Sequence, residues 1–311
     1  MNKFKKIGLS ALAGSLVAFS ANAAELSVSG TAGVTFADYG ASETNNAWSM
    51  ADGITFSGSG ETDGGIGVSL SYVIDNGTLD DMSVALSTED MGSITFHGKD
   101  GSSALGAVDD VMPTAYEEPW FGVTSPTKVD GKAANNMFQY TSPTVGGATI
   151  TATYGQADGT VVESQTALAI AVSPEAVEGL TVGYATQEDD STGVATTKVD
   201  DTTMYVKYVY GSITAGYQQS EADNATDSED IETKGYGISY AISDELSISY
   251  GQHEAETPND TADKDQNSSA ISFSYTSGGM TVGGAVGQVD NVGGVDATDR
   301  DTYELSMSFA F

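Results

Sequence analysis

The chain of 311 residues carries 44 acidic residues against 11 basic ones, a formal charge of −33, and no cysteine. Such a balance excludes a nucleic-acid footprint, which needs a basic surface, and favours cations as partners; the missing thiols exclude a disulfide framework and a thiolate centre. Thirty-seven Gly and 15 Tyr against six Pro fit many strands joined by tight turns.

Lys3, Lys5 and Lys6 precede an apolar run from Ile7 to Phe19 and the small-residue site Ala21-Asn22-Ala23, the pattern of a secretory signal peptide. Residues 1–23 are predicted to be removed between Ala23 and Ala24, which takes the formal charge to about −36. The apolar run falls short of the roughly 20 residues that a membrane-spanning helix needs. No later run reaches that length, but a β-barrel stays open, because alternation dilutes its lipid-facing residues.

From there the chain reads as period-two segments. Leu26 to Phe36 alternates, Asp38 to Asn46 interrupts, and Trp48 to Phe56 resumes. Ile66 to Ile74 follows, then Asp75-Asn76-Gly77-Thr78, a hairpin signal, then Met82 to Leu86 and Ile94 with Phe96. The rhythm breaks from Asp100 to Asn135 and returns with Phe138 and Tyr140, a turn at Ser142 to Gly147, and Ile150 to Tyr154. Further segments centre on Leu168, Val182, Val206, Ala215, Ile238, Ile248, Phe273 and Val282. About 16 segments result, each near the 9–11 residues of a tilted membrane strand.

Short turns such as Gly60 to Gly64 and Ala241 to Glu245 alternate with acidic connections at Glu188 to Asp201, Glu221 to Glu232, Glu254 to Ser268 and Asp290 to Arg300. That asymmetry matches periplasmic turns and external loops. Aromatic residues are predicted at strand ends: Phe36, Tyr72, Phe96, Tyr154, Tyr184, Tyr217 and Tyr250 on one rim, and Phe56, Tyr140, Tyr210, Tyr240, Tyr275 and Phe311 on the other. Two such rings belong at the membrane interfaces.

In the last stretch Tyr303, Leu305, Met307, Phe309 and Phe311 alternate with Thr302, Glu304, Ser306, Ser308 and Ala310. A strand with one oily face would invite aggregation as an open edge, and closing the sheet removes the edge. Ending on Phe, it resembles the closing strand of bacterial outer-membrane β-barrels, which the barrel-assembly machinery recognises. Together with the leader, the long fifth-to-sixth connection and Asn136-Met137-Phe138-Gln139-Tyr140-Thr141-Ser142-Pro143 with Gly146-Gly147, the mature chain, 24–311, resembles a general diffusion porin of the alphaproteobacterial type. The resemblance implies an all-β fold, a 16-stranded antiparallel transmembrane barrel in the cell outer membrane, a homotrimer in contact with lipid and lipopolysaccharide, and a third external loop folded inward to narrow a water-filled pore.

On that reading residues 100–135 form the constriction loop, with Asp109, Asp110, Glu117, Glu118 and Asp130 as its carboxylates and Pro119-Trp120-Phe121-Gly122 as its small turn. Carboxylates in a narrow pore act over about a Debye length, about 8 Å, and set ion selectivity. His97, Lys99 and Lys207 have the parity of the facing wall. The family's Arg cluster is missing, since Arg300 is the sole Arg and falls in the last external connection, so the pore is expected to prefer cations. The second external loop is too short to latch onto a neighbouring subunit.

Two His, His97 and His253, and no G-x-S-x-G, G-x-G-x-x-G or Walker sequence argue against an enzyme or a bound cofactor. Asp223 to Asp230 could collect Ca²⁺ loosely through oxygen ligands, although it lacks the Gly and spacing of an EF-hand; a solvated acidic loop bridged to lipopolysaccharide by divalent ions is the other reading. A substrate-specific channel on the same fold and a non-channel surface β-protein or adhesin are the alternatives.

Overall fold

The computed structural model describes residues 25–40, 47–123, 129, 131–156, 164–189, 199–223, 230–256 and 264–311. The signal peptide, its cleavage site at Ala23 and Ala24, Asp130 and most of the proposed Ca²⁺-collecting stretch lie outside them.

The strands are β1 (Glu25–Asp38), β2 (Ala47–Glu61), β3 (Gly67–Asp75), β4 (Thr78–Thr88), β5 (Gly92–Lys99), two short pieces β6 (Gly101–Ser102) and β7 (Ala133–Ala134), then β8 (Met137–Thr141), β9 (Ala148–Gly155) and β10 (Gln165–Val172). They continue as β11 (Leu180–Asp189), β12 (Val199–Tyr210), β13 (Ile213–Asp223), β14 (Ile231–Ala241), β15 (Leu246–Glu256), β16 (Gln266–Ser277), β17 (Met280–Asp290) and β18 (Arg300–Ala310). Sixteen of them form one closed antiparallel barrel in sequence order, while β6 and β7 pair apart from it. Among the described residues no helix is long and apolar enough to cross a membrane; here strands do the crossing.

Closure is made by the two ends of the chain. β1 pairs with β18 from Thr31↔Ala310 to Asp38↔Tyr303, and Phe311 exchanges two backbone hydrogen bonds with Gly30, at 2.7 and 2.9 Å. The Phe311 ring covers Gly30, where a Cβ would lie 3.0 Å from Cε2. In hydrocarbon an unpaired N–H or C=O costs several kcal/mol, so the pairing has to run without a gap around the ring.

The period-two pattern places the apolar residues outward. Across β1, β2 and β18, Phe36 faces Trp48 and Leu305, and Val34 faces Met50 and Met307; Tyr303, Leu305, Met307, Phe309 and Phe311 are all exposed on the outer face. Two register shifts break the rhythm: Ser83 pairs with His97 but Met82 with Lys99, and Tyr72 pairs with Met82 but Ile74 with Leu79. The extra residue lets Leu79 and Met82, three apart, share the outer face.

The expected loop boundaries are corrected. β11 to β18 run on into the connections assigned as external loops, to Asp189, Asp223 and Glu256 and back from Val199, Ile231, Gln266 and Arg300. Tyr184, Tyr217 and Tyr250 are therefore mid-strand, and beyond them the outer face turns polar, with Glu188, Glu221, Glu232, Glu254 and Asp301 in ladder positions. A strand wet on its outer side carries no hydrophobic alternation, yet its backbone ladder continues. Arg300 is likewise the first residue of β18, opposite inward Val289, rather than a loop residue. The opposite side of the barrel is lower: β5, β9 and β10 have eight residues each and β8 five.

Leu305→Arg, which puts a charge on the outer face of the closing strand, is expected to destabilise the barrel by about 2–4 kcal/mol if its site lies near the bilayer midplane, measured by denaturant titration in lipid vesicles. Ser306→Thr, on the inner face, is expected to leave it unchanged.

Candidate pore constriction

The segment from Asp100 to Asn136 between β5 and β8 departs from the barrel ladder because its sequence lacks alternation and offers apolar and turn residues instead. Its base is clamped: Asp100 N–H donates to Asn135 Oδ1 at 3.1 Å, and Gly131 N–H donates to Asp109 Oδ2 at 3.0 Å. Asp109, expected as a pore carboxylate, thus ties two parts of the loop together. Lys132 N–H donates to Gln187 Oε1 at 3.1 Å, and its ammonium lies 3.9 Å from Asp189.

The rest of the described loop bonds to strand residues of inward parity. Ala104 N–H donates to Thr153 Oγ1 at 3.0 Å and Val111 N–H to Gln218 Oε1 at 2.9 Å. Gln218 Nε2 donates in turn to the carbonyl of Asp109 at 2.7 Å. Ala115 N–H donates to Ser249 Oγ at 2.8 Å and Tyr116 N–H to Ser272 Oγ at 3.1 Å. A loop without its own secondary structure needs such partners, because buried backbone groups left unpaired are costly.

Packing requires small wall residues. A Cβ on Gly216 would lie 2.6 Å from Pro113 Cδ, one on Gly251 2.6 Å from Pro119 Cγ, and one on Gly287 2.7 Å from Phe121 Cε1. Leu105 packs with Ala167, Ala169 and Ala185, and Met112, Trp120 and Val123 gather with Val289 and, from the last connection, Val292. The Trp120 ring lies 4.3 Å from that of His253. Burying an apolar side chain of this size contributes about 1.5–3 kcal/mol, so the seam adds apolar attraction to the hydrogen bonds that hold the loop.

The charges are one-sided. Asp110, Glu117 and Glu118 are half-buried on the loop. Burial, and then the neighbouring Glu304 and Glu118 carboxylates, pushes Glu117 up to about 8. On the wall, Lys207 faces inward beside Gly216 and Thr181 near the end of β12. His97 also faces inward, opposite Ser83, whereas Lys99 pairs across a register shift with Met82 and lies 3.9 Å from Asp100; both ring nitrogens of His97 are buried without a hydrogen bond, under Gly101 and Met137. Arg300 packs against Gly40 at the outer end of β18. The inner face of β1 to β4 is mostly hydroxyl, with Ser27, Ser29, Thr31, Thr35, Thr55, Ser57, Ser69, Ser71 and Ser83 at inward register positions.

Three residues that sequence reasoning did not select belong to this site: Tyr39, Tyr116 and Glu304. Both phenols donate to Glu304, Tyr116 at 2.5 Å. The available signal was a single carboxylate among Thr, Ser and Ala on the inner face of the last strand.

A closed 16-stranded antiparallel barrel has a counterpart in known proteins. The family model described as Gram-negative porin matches residues 8–311. The chain belongs to the Gram-negative porin family. No curated protein matches the chain. Among solved structures it is similar to the anion-selective porin from Comamonas acidovorans, at 13% identity and TM-score 0.68, covering 93% of this chain and 100% of that one. It is similar to the outer-membrane protein OmpT of Vibrio cholerae, in a loop-deletion mutant, at 12%, 0.68, 93% and 100%, and to a mutant of the Rh. blastica porin at 16%, 0.65, 92% and 100%. At these identities the likeness concerns the fold. Family membership places this porin in the outer membrane as a diffusion channel.

Gly216→Val is expected to push Pro113 off the wall toward the pore axis and lower single-channel conductance in planar bilayers, with Gly216→Ala intermediate and the strand content by circular dichroism unchanged in both.

Proposed function

We propose that this porin is a general, water-filled, cation-preferring channel for small hydrophilic solutes, narrowed by residues 100–135. One observation carries the reading: the loop's backbone is bonded to inner-face Thr153, Gln218, Ser249 and Ser272, while the loop itself brings Asp110 and Glu118 into a lumen whose β1 to β4 wall is mostly hydroxyl. With few inward cations to oppose them, those carboxylates raise the local cation concentration. The Comamonas relative is named as anion-selective, so the sign of selectivity follows from the residues on the wall and not from the fold. A hydroxyl wall offers weak, unspecific hydrogen bonds, which favours a general channel over a substrate-specific one.

A homotrimer fits the outer face around β2. Asp52 stands on the outer face between Met50 and Ile54, beside the tight turn where Asn76 and Gly77 have positive φ. A carboxylate and a turn on that face are better covered by protein than by lipid. The OmpT relative is described in a trimer form. Residues 1–23 serve as the leader and the closing strand, from Tyr303 to Phe311, as the assembly signal. The acidic outer collar contacts lipopolysaccharide through divalent cations; Glu254, Glu256 and Asp265 bring ligand oxygens within 4.8 Å of one another.

Under a KCl gradient the reversal potential is expected to show cation preference that weakens in Asp110→Asn/Glu118→Gln; stepwise conductance with unchanged selectivity would move the selective charges elsewhere. Because the chain has no cysteine, single-Cys labelling tests the trimer cleanly. Met50→Cys is expected to be shielded from a lipid-soluble maleimide, whereas Ile271→Cys on the tall side labels fully.

A further inference from the structure

The barrel closes where β1 meets β18. Every other neighbouring pair of barrel strands is joined by a connection along the chain, whereas the first and last strands are joined by none. Once their ladder opens, bringing the ends back together carries the loop-closure entropy of the whole chain. At one end of this seam Phe311 exchanges backbone hydrogen bonds with Gly30. At the other the ladder stops at Asp38↔Tyr303, and ladder ends are where local opening starts.

The internal segment reaches that second end from inside the barrel. Tyr39, the residue after β1, donates its hydroxyl to Glu304 Oε2 on β18, which links the two strands through side chains. Tyr116 donates to Oε1 of the same carboxylate at 2.5 Å, and its N–H donates to Ser272 Oγ on β16 at 3.1 Å. Phe121 meets the Tyr39 ring edge-on, with centroids 6.3 Å apart, and packs with Ala270 and Ala285. Two glycines make room for the rings. A Cβ on Gly122, whose φ is +81°, would run into the ring of Tyr39, and one on Gly283 into that of Tyr116.

We propose that residues 116–122 form an internal clasp across the closing seam. The segment read as the constriction then has a second function, holding the first and last strands together at their outer end. One arm, Tyr116, grips β18 through Glu304; the other, Phe121 with Gly122, closes on Tyr39 just past the end of β1. Hydrogen bonds to a carboxylate are about twice as strong as neutral ones, and Ser272, Ala270 and Ala285 fix where the arms sit. The clasp is made of two phenols, a phenyl ring and two glycines, so it is independent of how Asp110 and Glu118 act on passing ions.

The test is the unfolding rate of the full-length protein in detergent, read from the electrophoretic shift between folded and unfolded barrel. Tyr39→Phe, which keeps the ring and removes the hydroxyl, is expected to raise the rate about tenfold, the size of one hydrogen bond to a charged group. Tyr116→Phe is expected to do the same, and Gly122→Val, which dislodges the second arm, at least as much. A disulfide across the seam separates the clasp from general packing. The chain has no cysteine, and Val34→Cys/Met307→Cys joins register partners of β1 and β18. In that locked barrel the three substitutions are expected to lose their effect. Unchanged rates in Tyr39→Phe and Tyr116→Phe, or an effect undiminished in the locked barrel, overturn the proposal.

Discussion

Every strand of this protein depends on the same constraint: backbone groups at bilayer depth must find partners within the chain. A closed ring of antiparallel ladders satisfies it, and the ring is completed only when the last residue, Phe311, bonds to Gly30. The closing strand is therefore a structural keystone as well as an outer-face apolar stripe. It also carries Glu304 on its inner face, where Tyr116 of the segment between β5 and β8 bonds to it.

The loop is governed by a different balance. It has little secondary structure of its own, and it sits where small wall residues admit it. Gly216, Gly251 and Gly287 leave room for two proline rings and a phenylalanine, and Gln218, Ser249 and Ser272 take up backbone groups that water would otherwise satisfy. Apolar burial supplies the attraction and hydrogen bonding the position. An ion pair between Lys132 and Asp189 adds to that fastening at the base of the segment.

The two sides of the barrel serve different surroundings. The tall strands rise past their aromatic residues into an acidic collar with outward Glu221, Glu232 and Glu254, suited to a polar headgroup layer. Around β2 the outer face is apolar but interrupted by Asp52.

Strand number, the face that each strand turns to lipid, the closing role of Tyr303 to Phe311 and the extent of the loop were all legible in the sequence, because side chains alternate with period two and the bilayer demands one apolar face. The inward parity of His97 and Lys207 was legible for the same reason, whereas the register shift that pairs Lys99 with Met82 was not. Strand ends above the membrane were not, since a ladder wet on its outer face leaves no hydrophobic pattern. Nor were the partners of the loop: Asp109 turned to the backbone of Gly131, His97 lay beneath Gly101, and Tyr116 met Glu304, 188 positions away in the chain. Local pattern determines which face a residue occupies; which residues meet across the lumen is decided by barrel closure and by where small side chains leave space, and only the tertiary structure holds that information.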